Sequence, residues 1–278
     1  MGFKTLLTVT TPGSGDADLK MATALAGEVE AHLAVLVIAL ANSPRIGRYS
    51  TSMADDWLRE RRMDEEKLRE RSAAVSEFLA SRTASSDVSS EYAEDTWVGE
   101  VVGQRARYAD LVIVGPEMLK HEALKEKVIE GTLFSSGRPL LLAPDGSTPT
   151  LKPRRIAVAW DSSIEASSAV GRSLHLLKAA DEVRLAMVDP VDSELGQDME
   201  PGADIAAYLA RHGVTVTVDR LPSQGRGVVA TLRQHAIDNA AELLVMGAYG
   251  HSRIRERIFG GVTRSMIDQP PLPILMAR

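Results

Sequence analysis

Four glycines near the C-terminus have the spacing of a phosphate cradle: Gly247-Ala-Tyr-Gly250, then nine residues, then Gly260-Gly261-Val262-Thr263. They follow Leu243–Met246, an apolar run that reads as a buried strand. Glycine at the exit of such a strand lets backbone N–H groups approach a ligand that any Cβ would hold off. A helix starting just behind it would turn unpaired amides and the positive end of its dipole toward phosphate. Neither the Walker pattern GxxxxGK[ST] nor the Rossmann pattern GxGxxG occurs in the chain. A single glycine would be explained as a helix cap. Four at these intervals, beside Ser252, Arg253 and Thr263, point to a ligand.

The elements that must hold this segment recur along the chain. A short apolar strand (Leu6–Val9, Ile156–Trp160) precedes an alanine-rich amphipathic helix in each half. Ala109-Asp-Leu-Val-Ile-Val-Gly115 is matched by Ala241-Glu-Leu-Leu-Val-Met-Gly247, and Arg138-Pro-Leu-Leu-Leu-Ala-Pro144 by Leu272-Pro-Ile-Leu-Met-Ala277. The offset shrinks from 150 at the start to 132 at the glycine, so the first copy carries an insertion of about 18 residues. It shows at Ser52–Arg82, a long helical pattern with no equal-length counterpart in the second half, whose mixed charges fit a solvated face. The join, Pro144-Asp-Gly-Ser-Thr-Pro-Thr-Leu-Lys-Pro153, is rich in turn formers, and the boundary is placed near Thr148.

Each half reads β-α-β-α-β-α-β-α-β, with second-half strands near 155–160, 182–188, 214–219, 242–247 and 272–277. The expected fold class is α/β: two tandem doubly wound domains, 1–147 and 153–278, each a five-stranded, mostly parallel sheet flanked by helices. Ligands of such sheets sit beyond the carboxyl ends of the strands, where strand order reverses. Asp161, Val188 and Gly247 stand at three such ends.

Composition narrows the function classes. With 44% hydrophobic and 25% charged residues the chain has ordinary globular proportions. A net charge of −6 argues against nucleic acid or an anionic membrane as a partner. No cysteine is present, which excludes disulfides, thiol nucleophiles and cysteine-based zinc sites. The N-terminal residues carry no long apolar h-region and no stretch approaches 18 apolar residues, so the expectation is a cytoplasmic protein.

Together these residues resemble the universal stress protein family in its tandem form. The family's ATP-binding signature is G-x2-G-x9-G-[ST], and Gly247, Gly250 and Gly260 fill its glycines, with Met246 before the first. The resemblance implies that Asp161 meets the adenine, that Val188 contributes to its pocket, and that Gly261 and Val262 contact phosphates. His251 and Arg253 lie inside the loop and are candidates to approach phosphate. Gly261 stands where the family has Ser or Thr, which moves the nearest hydroxyl to Thr263. A neutral hydrogen bond is worth about 0.5–1.5 kcal/mol, so that loss weakens binding about tenfold at most. The implied cofactor is ATP or AMP, with Mg2+ as a companion.

The first half departs further. Gly115 is followed by Pro116-Glu-Met-Leu-Lys, Thr11 stands in place of Asp161, and Val128-Ile-Glu-Gly-Thr-Leu-Phe134 surrounds the former third glycine. Proline removes a donor and glutamate adds repulsion where amides should face phosphate, so no ATP is expected there. Gly13-Ser-Gly15-Asp16 reads as a turn and N-cap before a helix from Ala17.

Alternatives stay open at several residues. Asp161 could be the N-cap of the next helix, as could Ser162 or Ser163. Asp189 could reach a ribose or end its strand, and Arg264 could neutralise phosphate or decorate a helix. No catalytic constellation stands out: no HExxH, no nucleophile elbow and no water-activating base. The expected function is a stress-response sensor or regulator binding one adenine nucleotide in the C-terminal domain, with at most slow ATPase activity. The competing expectation is a nucleotide-independent scaffold that engages a regulatory protein partner through the charged helix 52–82. The family resemblance also implies that the strands at Pro139–Leu142 and Pro273–Met276 join the halves as an internal pseudo-dimer, to which a homodimer could be added.

Overall fold

The structure is a computed structural model that describes residues 2–41, 51–190, 201–250 and 261–278, with side chains described from Trp57 onward in the second of these stretches. It divides into two compact units, Phe3–Arg138 and Pro139–Arg278 with the first two residues. The division falls ahead of Leu140–Leu142 rather than at the polar join, because that strand hydrogen-bonds to Ile274–Met276.

The unit Phe3–Arg138 contains β1 (Thr5–Thr10), α1 (Ala17–Val29), β2 (His32–Ala41), α2 (Thr51–Ala80), β3 (Ser86–Glu94), α3 (Val98–Ala106), β4 (Leu111–Val114), α4 (Pro116–Leu119) and α5 (Lys125–Glu130). Its strands run β3-β2-β1-β4, all parallel, with Leu6 paired to both Leu33 and Leu111. β1, β2 and β4 read as near-continuous apolar runs because helices cover both faces of a parallel sheet. The inserted helix α2 buries a single stripe, Leu68, Val75 and Leu79. Elsewhere it carries ion pairs between neighbouring turns, Arg61 with Glu65 and Arg69 with Glu66, on exposed faces. Each such pair contributes only a few tenths of a kcal/mol (about 0.3–0.5), so the buried stripe holds this helix in place.

The second unit adds β5 (Leu140–Leu142), β6 (Arg155–Ala159), α6 (Ile164–Ala179), β7 (Glu182–Val188), α7 (Ala203–Arg211), β8 (Val216–Leu221), α8 (Val228–Asp238), β9 (Leu243–Gly247), α9 (Gly261–Asp268) and β10 (Ile274–Ala277). The strand order is β5-β10-β9-β6-β7-β8, parallel except for β5 against β10. Strand order reverses between β6 and β9, since the chain goes from β6 to β7 on one side and returns to β9 on the other. That switch point positions the site described next.

Candidate functional site

The end of β6 turns sharply into α6. Asp161 Oδ1 accepts the Ser163 amide at 3.0 Å, and Ser162 adopts a left-handed φ of 62°. Ser163 is the N-cap of α6, its hydroxyl oxygen accepting the Ala166 amide at 3.1 Å. Of the three cap candidates in the sequence, the structure therefore uses Ser163 and leaves Asp161 as an exposed carboxylate at the head of the helix.

β9 exits beside it. A Cβ on Gly247 would lie 2.5 Å from Ala166 N and 2.6 Å from Glu165 C, so this glycine exists to let α6 pack against the strand. From the sequence, the missing side chain is expected to serve ligand approach. The structure assigns it to helix packing, and Gly247 also lines a cavity. Tyr249 follows with a left-handed φ of 64°, and its amide donates to Thr263 Oγ1 at 3.1 Å in a buried bond. Thr263 thus ties the strand exit to α9, and its oxygen accepts a backbone amide.

These ends enclose a cavity of about 320 Å³. Asp161, Val188, Met246, Gly247, Gly250, Gly261, Val262 and Thr263, all expected from the sequence, line it. His251, Arg253 and Gly260 lie outside the described residues. Val228 and Leu232, which bring α8 to the cavity as an apolar wall, and Ala159 and Ala186 on the strands are not among the residues expected from the sequence. Their only signal was an apolar stripe on a helix, which looks the same whether it faces core or ligand.

Electrostatically the cavity collects helix N-termini. Ser163 caps α6, Val228 begins α8 and Gly261 is the first described residue of α9, and all three residues line it. Helix N-termini normally attract acidic side chains, yet neither α8 nor α9 has one in its first turn. The leading amides of α8 have no intrahelical acceptor. The walls are otherwise apolar, so the arrangement suits a flat apolar body joined to an anionic group. Asp189, immediately after Val188, is engaged elsewhere, its Oδ1 accepting the Ser223 amide at 2.9 Å. The Ser223 hydroxyl and amide together hold its carboxyl below the ordinary 3.8. Arg264 lies on an exposed face 3.6 Å from Asp268.

The corresponding place in the other unit is filled from within. Asp18, buried on α1, accepts the Glu117 and Met118 amides at 3.0 and 2.9 Å. These are the amides that follow Gly115, and a protein carboxylate occupies them. Glu117 in turn accepts the Asp18 amide at 3.3 Å. Asp16 occupies the N-cap position of α1 but makes no capping bond; its carboxylate pairs with Arg71 at 2.9 Å. Gly131 lies in a continuous helical stretch after α5 and packs against the backbone of Gly99 on α3, so no helix begins there.

Among the described residues no helix is long and apolar enough to cross a membrane, and no group of three or more His, Asp or Glu could hold a metal. A family model described as the universal stress protein family matches residues 141–278. A universal stress protein of Synechocystis sp. is 33% identical over 70 residues, 25% of this chain and 23% of that protein, so the match spans about a quarter of the relative. Among solved structures, a universal stress protein of Archaeoglobus fulgidus matches with TM-score 0.65 at 18% identity, covering 98% of this chain and 96% of the other. A Pseudomonas aeruginosa protein of unknown function matches with TM-score 0.55 at 14% identity over 98% and 92%. At these identities the structural likeness shows the fold. Through its residues 141–278, the chain belongs to the universal stress protein family.

Proposed function

We propose that the C-terminal domain, 153–278, binds one adenine nucleotide, ATP or AMP with Mg2+ as a companion, and that the protein is a cytoplasmic stress-response sensor. Nucleotide occupancy would alter its assembly or its hold on a regulatory protein partner. The observation that carries this reading is one cavity that gathers Asp161, Val188, Gly247, Gly250 and Gly261 beside the uncapped N-terminus of α8 and the first described turn of α9. The apolar walls suit the base, Asp161 is placed for its polar edge, and the amides at Gly261 and Val262 suit phosphate oxygens. Asp161 is the one carboxylate among the described lining residues, and it already accepts the Ser163 amide. Such a lining favours binding over phosphoryl transfer, which needs metal-holding acids and a positioned nucleophile. The N-terminal domain, 1–147, has no nucleotide role in this reading, because Asp18 holds the amides after Gly115.

Acid extraction of the purified protein, followed by chromatography, should release about one adenine nucleotide or fewer per chain, and none after Gly250→Glu. Calorimetric titration should show binding by wild type and its loss in that variant. No co-purified nucleotide together with no heat at millimolar ATP would end this reading and favour the scaffold.

A further inference from the structure

A serine, a histidine and an aspartate meet in the first unit at the amino ends of β2 and β3, away from the carboxyl ends where α/β sheets take nucleotides. His32 opens β2, and Asp87 is the second residue of β3. The turn from α2 to β3, closed by the Thr83 amide donating to the Leu79 carbonyl at 3.0 Å, brings Ser85 to the head of β3. The parallel register sets Leu33 beside Ser86 and Ala34 beside Asp87. Side chains alternate along a strand, so His32 and Asp87 stand on one face. Ser85, one step ahead of Ser86, comes opposite His32, and its carbonyl accepts the Leu33 amide at 3.1 Å.

Ser85 Oγ lies 2.7 Å from His32 Nδ1, and His32 Nε2 lies 2.7 Å from Asp87 Oδ1. An ionised carboxylate only accepts hydrogen bonds, so Nε2 carries the proton that faces Asp87. In the neutral imidazole this leaves Nδ1 as the acceptor for the Ser85 hydroxyl. Both separations fall within the about 2.6–3.2 Å that a nucleophile and its base require. A hydroxyl, a base in reach of its proton and a carboxylate that fixes the base's tautomer are the parts of a serine nucleophile centre. Linear spacing hides it, because Ser85 and Asp87 are 53 and 55 residues from His32. The His32 and Asp87 side chains are 34% and 59% exposed, so a small substrate reaches them from solvent. Among the described residues the Ser85 amide donates no hydrogen bond, which leaves it available to an oxyanion on the substrate.

We infer that Ser85, His32 and Asp87 hydrolyse small, activated carboxylic esters. Ser85 Oγ bonds to the ester carbonyl carbon while its proton passes to His32 Nδ1. The bond from that carbon to the leaving oxygen then breaks, and the leaving oxygen takes the proton from His32. Water attacks the acylated Ser85 with His32 again as base, which releases the carboxylic acid and restores the hydroxyl. Asp87 is a positioning residue that acts through the imidazole. The centre is independent of the C-terminal nucleotide.

Two measurements on the full chain test this: hydrolysis of p-nitrophenyl acetate, and labelling by an alkyl fluorophosphonate, which loses fluoride to a nucleophilic serine, with the label located by tandem mass spectrometry. The label should fall on Ser85, and ester turnover should drop to the buffer rate in Ser85→Ala. His32→Ala should slow both reactions at least about tenfold, since a positioned general base contributes about 10²–10⁴-fold. Asp87→Asn should slow them with melting unchanged, and Asp87→Glu should restore part of the rate, a pattern that a structural role would not produce. Saturating ATP should leave turnover unchanged. Equal hydrolysis by wild type and Ser85→Ala, no label on Ser85, indifference to His32→Ala or to Asp87→Asn, or inhibition by ATP would each overturn the inference.

Discussion

Gly247→Ala tests whether the first glycine of the motif is there for packing. A methyl group at this position would sit 2.5 Å from the Ala166 nitrogen and 2.6 Å from the Glu165 carbonyl carbon, closer than the 3.0 Å that real Cβ atoms respect. Both obstacles are backbone atoms in the first turn of α6, so no side chain can swing aside. Either the helix or the end of β9 must move, and overpacking of this kind costs about 1–3 kcal/mol. For a unit of this size about 3 °C is lost per kcal/mol, so melting should fall by about 3–9 °C. Gly250→Ala is the control from the same loop. Its Cβ would meet the Glu165 carboxylate at 3.4 Å and Ser163 at 3.5 Å, distances that a flexible side chain can accommodate. Its φ is not in the left-handed region, so it should melt within about 0.5 kcal/mol of wild type. Differential scanning calorimetry of the two variants decides the matter. If Gly247→Ala melts with wild type, or if the two variants fall equally, the packing argument is wrong.

Three further outcomes follow from the same geometry. Among the described residues a Cβ at Gly261 meets nothing within 4 Å, so Gly261→Ser should be accommodated and should tighten nucleotide binding roughly fivefold, the value of about 1 kcal/mol for one hydrogen bond. Gly261→Ala, which adds helix propensity without the hydroxyl, should raise melting but not affinity, and calorimetry would separate the two. Burial raises the Asp18 carboxyl above its ordinary 3.8, partly opposed by the Glu117 and Met118 amides. The folded state then holds more protons than the unfolded one between 3.8 and that raised value, so Asp18's contribution to stability must fall as pH rises through that window. Urea unfolding should show wild type losing stability relative to Asp18→Asn as pH rises through that window; a constant difference would contradict it. Trp160 lines the C-terminal cavity, whereas Trp57 and Trp97 belong to the other unit. In a Trp57→Phe/Trp97→Phe background, nucleotide should therefore change the remaining tryptophan emission; unchanged emission alongside calorimetric binding would place the base elsewhere.

Much of this protein was legible in its sequence because the relevant signals are local. The apolar runs at Ile156–Trp160 and Leu243–Met246 appear as β6 and β9, within a residue or two at each end. Strands separated by helical stretches implied a parallel sheet, and such a sheet places Asp161, Val188 and Gly247 at one edge. The charged insertion appears as α2, whose solvated faces are those its sign pattern indicated.

What depended on contacts between distant residues was decided by tertiary structure. Gly247 is bare because α6, about eighty residues earlier, needs the space. Val228 and Leu232 form a cavity wall, which their helical stripe alone did not distinguish from core. Asp18 reaches amides 99 and 100 residues away and fills them with the protein's own charge. The sequence by itself determined which backbone elements form and in what order, since strand, helix and turn preferences act over a few neighbouring residues. Whether an amide faces a ligand, a helix or a carboxylate was determined only when packing brought remote segments within hydrogen-bonding range, and linear spacing carries no record of that distance.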